Sequence, residues 1–130
     1  MTGTAVNPLL RAAFLAKNEY KVTLVIPWLS KEDQEKVYPN HISFESTHEQ
    51  EEYVRNWVER RVGFKPEIQI RFYSGKYSNA YRSILAKGDL TTCIPDEEAD
   101  VAILEEPEHL NWYASQFYSK KKTLLAADPL

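Results

Sequence analysis

The sequence predicts an α/β fold built on a parallel sheet, and three observations predict it. Helix-type and strand-type patterns alternate along the 130 residues, the order expected of parallel strands joined by right-handed crossovers. The segment Tyr20–Ile26 is β-branched and nearly all apolar, as a strand buried on both faces must be. The segment Thr47–Val62 carries an apolar stripe at helical spacing between a start signal and a stop signal.

Taken in order, Asn7 is a good helix cap and Pro8 a good first helical residue. Leu10, Phe14 and Lys17 then share one helical face, so a helix is predicted over about 7–17. Thr2-Gly3-Thr4 ahead of it reads as a loop whose backbone N–H groups suit an anion, or simply as the lead into a capped surface helix. The strand at Tyr20–Ile26 ends at Pro27-Trp28-Leu29. Ser30 caps a short exposed helix over Lys31–Lys36, with Asp33 at its third position. Tyr38-Pro39-Asn40 is a turn and Ile42-Ser43-Phe44 a short extended piece. Thr47 and Gln50 form a capping box for the next helix, which stops before Gly63. Its stripe is Tyr53, Val54, Trp57, Val58 and Val62, with Trp57 expected in the core, and Glu51 and Arg55 form an i,i+4 pair on its solvated side.

Ile68–Tyr73 alternates between Pro66 and Gly75 and is predicted as a strand. Ser74–Ser78 reads as a loop, Asn79–Ala86 as a short helix, and Asp89 as the cap of another that Pro95 closes. Asp100–Leu104 is predicted as a buried strand. The first strand of a βαβ unit should precede the Gly3 loop. Either the sheet begins with Tyr20–Ile26, or a strand upstream of Met1 is missing.

Composition narrows function. At 130 residues a chain buries roughly two thirds of its unfolded surface, enough for one core and not two. The 16 Lys and Arg against 19 Asp and Glu are scattered, apart from Lys120-Lys121-Lys122, so there is no basic face for nucleic acid. No apolar run approaches the roughly 20 residues of a spanning helix, and no secretory pattern starts the sequence. The single cysteine, Cys93, and the spacing of His41, His48 and His109 give neither a disulfide framework nor a metal set. A soluble, mildly acidic domain of intracellular type is expected.

Ligands of open α/β sheets bind beyond the carboxyl ends of the strands. Three such ends follow from the predicted strands: Pro27-Trp28, Tyr73-Ser74-Gly75-Lys76, and Glu105-Glu106-Pro107-Glu108-His109. The last crowds three carboxylates and an imidazole into five residues. Such crowding can raise one carboxyl pKa and fit it for acid–base work; the plainer alternative is a solvated polar loop. Lys76 beside Gly75 could meet a phosphate, although a lone loop lysine is usually surface. Trp28 and Trp112 could stack on a sugar or lipid headgroup or serve as half-buried packing residues.

Four stretches then carry a resemblance: residues 2–9 (TGTAVNPL), residues 21–29 (KVTLVIPWL), Arg82-Ser83-Ile84-Leu85, and residues 104–113 (LEEPEHLNWY). Together, and in this order from residue 2 to about 113, the sequence resembles the plant digalactosyldiacylglycerol synthases, retaining glycosyltransferases of family 4. The resemblance implies the incomplete N-terminal half of a B-type glycosyltransferase fold, with a Rossmann-like parallel sheet. It implies transfer of galactose from UDP-galactose, as donor substrate, to monogalactosyldiacylglycerol, with no further cofactor and no metal. Peripheral association with the chloroplast outer envelope membrane is implied as well.

Under that resemblance, residues 1–113 are a partial acceptor-side domain and residues 114–130 a divergent tail. The strand before Gly3 and the C-terminal donor-binding domain are expected to be missing. Gly3, Thr4, Asn7, Trp28 and Trp112 are the candidate substrate-binding residues. Glu105, Glu106 and His109 are the candidate catalytic residues; related enzymes often carry a His where Glu105 and Glu106 stand. The fragment alone is expected to be inactive. The alternative function is a non-catalytic membrane-surface or interaction fragment derived from such an enzyme, because helix faces lacking their partners would leave apolar surface uncovered.

Overall fold

The computed structural model describes residues 3–88, 90–98, 100–104 and 123–126. Its elements are α1 (Gly3–Lys17), β1 (Val22–Trp28), α2 (Lys31–Val37), α3 (Thr47–Val62), β2 (Ile68–Ser78), β3 (Ser83–Ala86), β4 (Val101–Leu104) and β5 (Thr123–Ala126), with 3₁₀ turns at Leu90–Cys93 and Asp96–Glu98. A three-stranded sheet runs β1-β2-β3. β1 and β2 are parallel, with Val22 opposite Ile68 and Trp28 opposite Ser74. Their crossover passes through α2 and α3, as parallel pairing requires. The class is α/β with a mixed sheet, consistent with an incomplete Rossmann-like fragment.

The core lies between α1, α3 and one face of the parallel pair. Leu9, Ala12 and Ala13 of α1 meet Val54 and Val58 of α3 and Ile68 of β2. Val22, Leu24, Ile26 and Ile70 pack against this cluster, because alternate strand residues share a face. The alanines let α1 approach closely. Trp57 is half-buried and packs on the rim of the cluster.

Local signals set the helix ends. Ser30 caps α2, its Oγ accepting from Asp33 N–H at 3.2 Å. Gly63 ends α3 at φ +79°, its N–H donating to Glu59 O at 2.9 Å, the left-handed stop that glycine adopts without strain. α1 closes with the paired bonds of a Schellman motif, Tyr20 N–H to Leu15 O and Glu19 N–H to Ala16 O. Here the left-handed residue is Glu19, at φ 70°.

Several elements differ from the sequence reading. α1 starts at Gly3, so Thr2-Gly3-Thr4 is not the lead loop and Asn7 is an exposed residue inside the helix rather than its cap. Pro8 also lies within α1, with no N–H for the carbonyl four residues back; the Leu9–Ala13 face holds the helix through it. The α3 cap is Ser46, not Thr47: Ser46 Oγ accepts from Glu49 N–H at 3.2 Å. Glu49 Oε2 in turn accepts from Glu45 N–H at 2.7 Å. That frame turns Gln50 inward, on the side of Val54 and Val58.

β1 extends through Pro27, and all seven of its residues are half-buried rather than enclosed on both faces. Among the described residues it pairs on one side only, and an edge strand tolerates proline. The predicted loop at Ser74–Ser78 is the second half of β2, and the predicted helix at Asn79–Ala86 is the far arm of a hairpin. The four-residue connection closes with Tyr81 N–H on Ser78 Oγ and Arg82 at φ 51°. β3 occupies the edge of β2 over Gly75–Ser78. The predicted third strand, β4, therefore lies in a second, two-stranded sheet, parallel to β5. It is not a buried strand: Val101 is 56% and Ile103 41% exposed. Asp89, the expected cap, lies outside the described residues.

Candidate functional site

Beyond Trp28 at the carboxyl end of β1, the chain turns through buried Leu29 into α2. A buried glutamine fixes that corner. Gln34 Nε2 donates to Leu29 O at 3.0 Å and to Phe44 O at 3.3 Å, while its Oε1 accepts from Phe44 N–H at 2.7 Å. With its hydrogen-bonding capacity used, the amide can sit 1% exposed without penalty. It ties the 42–44 segment to the start of α2, and Phe44 stacks edge-on between Tyr38 and Tyr53.

The second half of β2 docks on the same corner. Asp33 Oδ2 accepts from Tyr77 N–H at 3.1 Å. Gly75 lies flat beneath Leu29: a Cβ there would sit 3.0 Å from Pro27 Cβ, 3.0 Å from Ile84 Cγ2 and 3.2 Å from Leu29 Cδ2. Any side chain there presses on all three neighbours, which must shift to admit it. Between α2 and the β2–β3 ribbon an open concavity of about 840 Å³ results. Ser30, Asp33 and Lys36 stand on one wall, and Lys76, Ser78 and Lys87 on the other.

Lys36 Nζ reaches Glu32 Oε1 at 3.5 Å, and the Asp33 carboxylate is held by Tyr77. Among the described residues, neither Lys76 nor Lys87 has an ion-pair partner. Lysine and serine donors thus share this surface with Tyr77, Tyr81, Leu85 and Ala86, and the polar groups suit an oxygen-rich ligand group. No cluster of His, Cys, Asp or Glu among the described residues could hold a metal ion, and no described helix is long and apolar enough to cross a membrane.

Two other polar contacts brace the scaffold. Arg71 forks onto Glu98, Nε to Oε2 at 2.7 Å and Nη2 to Oε1 at 3.1 Å. This bidentate bond holds the Glu98 carboxyl below the usual carboxylate range and pushes the guanidinium higher still. It ties β2 to the 96–98 turn. Burial pushes the Tyr38 phenol up, partly opposed by the hydrogen bond that Gln50 Nε2 donates to its oxygen at 3.3 Å.

Of the residues predicted for a site, Trp28 is half-buried at the end of β1, opposite Ser74. Gly3, Thr4 and Asn7 all fall in the first turns of α1. Glu105, Glu106, His109 and Trp112 lie outside the described residues. The structure joins Lys76 with two lysines that sequence reasoning passed over, Lys36 and Lys87. The one signal for them was local: Lys76 and Lys87 each adjoin a glycine, yet their meeting depends on the hairpin.

The chain is 61% identical over 114 residues to "Digalactosyldiacylglycerol synthase 1, chloroplastic" of Lotus japonicus, a match covering 87% of this chain and 14% of that protein. It is 61% identical to "Digalactosyldiacylglycerol synthase 2, chloroplastic" of the same plant, again over 87% of this chain but 25% of the relative. To "Digalactosyldiacylglycerol synthase 1, chloroplastic" of Arabidopsis thaliana it is 60% identical, over 87% and 14%. The chain thus spans between 14% and 25% of the length of these relatives. No family model matches it.

Proposed function

Because the chain is homologous over 87% of its length to part of the digalactosyldiacylglycerol synthases, we propose that it is a piece of the acceptor-side domain of a galactolipid galactosyltransferase. In the whole enzyme the bond between galactose and UDP breaks, a new glycosidic bond forms to the sugar hydroxyl of monogalactosyldiacylglycerol, and UDP leaves. The observation that carries this reading is the identity of 60–61% over 114 residues. The α/β fold with a parallel pair supports it, since sugar-nucleotide enzymes of Rossmann type are built so.

In this reading residues 1–113 belong to the acceptor-side domain and residues 114–130 form a divergent tail. Glu105, Glu106 and His109, which follow β4 in the sequence, supply acid–base chemistry. Trp28 and Trp112 stack on sugar or lipid headgroup, and Gly3, Thr4 and Asn7, at the N-terminus of α1, face the sugar-nucleotide. The protein works in the chloroplast, peripherally on the outer envelope membrane, with its uridine diphosphate contacts made by a further, C-terminal domain.

Two measurements test this. The 130-residue chain incubated with UDP-galactose and monogalactosyldiacylglycerol should form no digalactosyl product; formation of product refutes the division of labour. In a whole synthase carrying this segment, Glu105→Gln should lower kcat at least about 100-fold if the carboxyl moves a proton. An unchanged rate removes Glu105 from the catalytic set.

A further inference from the structure

The concavity between α2 and the β2–β3 ribbon has a charge arrangement that the transferase reading does not use. Lys76 opposes Leu85 in the antiparallel register, and the ladder continues through Lys87 N–H to Ser74 O at 2.9 Å. Residues 85 and 87 share a face, as do 74 and 76. Lys76 and Lys87 are therefore diagonal neighbours on one face, their Cα atoms about 7–8 Å apart. Like charges so placed repel, and among the described residues no carboxylate stands within ion-pair distance of either.

The facing wall adds Lys36 and the hydroxyl of Ser30, and Ser78 adds a second hydroxyl beside Lys76. The two acidic residues in the lining are already engaged, Glu32 with Lys36 and Asp33 with Tyr77. Two ammonium groups without an ion-pair partner among the described residues, two hydroxyls, and Lys36, which stands 3.5 Å from Glu32, line this open space, and a compact polyanion has oxygens enough to accept several such donors at once. We propose that this concavity binds a phosphomonoester group, with Lys76 and Lys87 as its principal ligands and Lys36 closing the opposite side. An open mouth lets the group be carried by a membrane lipid or by a soluble molecule.

The test uses the full 130-residue chain. Inorganic phosphate is titrated while backbone amide shifts are followed. In parallel, flotation is measured on phosphatidylcholine vesicles with and without about 20 mol % phosphatidic acid. Shifts confined to residues 30–36, 74–78 and 85–87 are expected on phosphate addition, with flotation only on the phosphatidate vesicles. Flotation without phosphate-induced shifts assigns the group to a lipid headgroup, and shifts without flotation assign it to a soluble ligand.

Lys76→Gln and Lys87→Gln should each weaken binding about fivefold. Lys36→Gln, on the other wall, provides a second reading should the ribbon variants fail to fold. Arg60→Gln/Arg61→Gln, at the end of α3, should leave binding in place. Absence of both shifts and flotation overturns the proposal. So does an equal loss in the Arg60/Arg61 control, which would mean diffuse attraction rather than a site.

Discussion

Helix α3 and the β2–β3 ribbon are held over very different sequence distances. Every device that bounds α3 lies within four residues of what it bonds: Ser46 to Glu49, Glu49 to Glu45, Gly63 to Glu59, Arg55 to Glu51. The ribbon depends on remote partners. Tyr77 N–H reaches back 44 residues to Asp33, and Gly75 fits because Pro27 and Leu29 lie across it. Damage to α3 should therefore be local and small, whereas damage to the ribbon should loosen the corner where the lysines meet.

The largest effect is expected at Gly75. Gly75→Val forces backbone and core side chains apart on three sides and should destabilise by about 2–3 kcal/mol in urea unfolding. A cost within a few tenths would mean the ribbon is not seated under Leu29. Gln34→Leu comes next. It leaves the buried Phe44 N–H without its acceptor and should cost about 2 kcal/mol, with Phe44 amide exchange accelerating before that of α3. Asp33→Ala should cost about 1 kcal/mol and speed exchange at Tyr77 while Val58 stays protected.

The helix ends give a sharper, smaller contrast. Gly63→Ala puts a Cβ at φ +79° in open space, so its cost of about 1 kcal/mol is backbone strain alone. Glu19→Gly, at φ 70°, should stabilise by a few tenths up to about 1 kcal/mol for the same reason run in reverse. Equal signs for the two substitutions in thermal melts would contradict the Schellman geometry at α1.

The smallest effect is that of pH. The hydrogen bonds from Arg71 hold the folded pKa of Glu98 below its unfolded value. Its contribution is present above that value and is lost as pH falls through the folded one. Glu98→Gln should remove this acid-side slope in pH-dependent melts and leave neutral-pH exchange in α3 unaltered.

Where bonds are short in sequence, the chain could be read directly. Ser30 with Asp33, the Glu51–Arg55 pair and the Gly63 stop all stand as read. The α3 cap differs by one residue from the sequence expectation, because Ser46 and Thr47 are both capping types and it is Ser46 Oγ that takes the Glu49 N–H while Gln50 is buried. The ribbon escapes a local reading because its four-residue connection has no glycine or Asn-Gly signal. Its register also rests on contacts to Asp33, Pro27 and Leu29, which no local window contains. The lysine concavity was legible only as one residue, Lys76; its companions arrive from a different strand and a helix.

The sequence by itself determined the α/β class, the three central helices with most of their ends, and the resemblance to galactolipid synthases that the identity of 60–61% bears out. These follow from periodicity, capping and residue identity, which act within a turn or are simply present in the chain. Tertiary structure alone decided that β2 continues past Gly75, that β3 takes its edge, and that β4 pairs with β5 instead. Each of those depends on which remote groups satisfy a strand's hydrogen bonds and fill the space beside a missing Cβ, and that is settled only when the chain closes on itself.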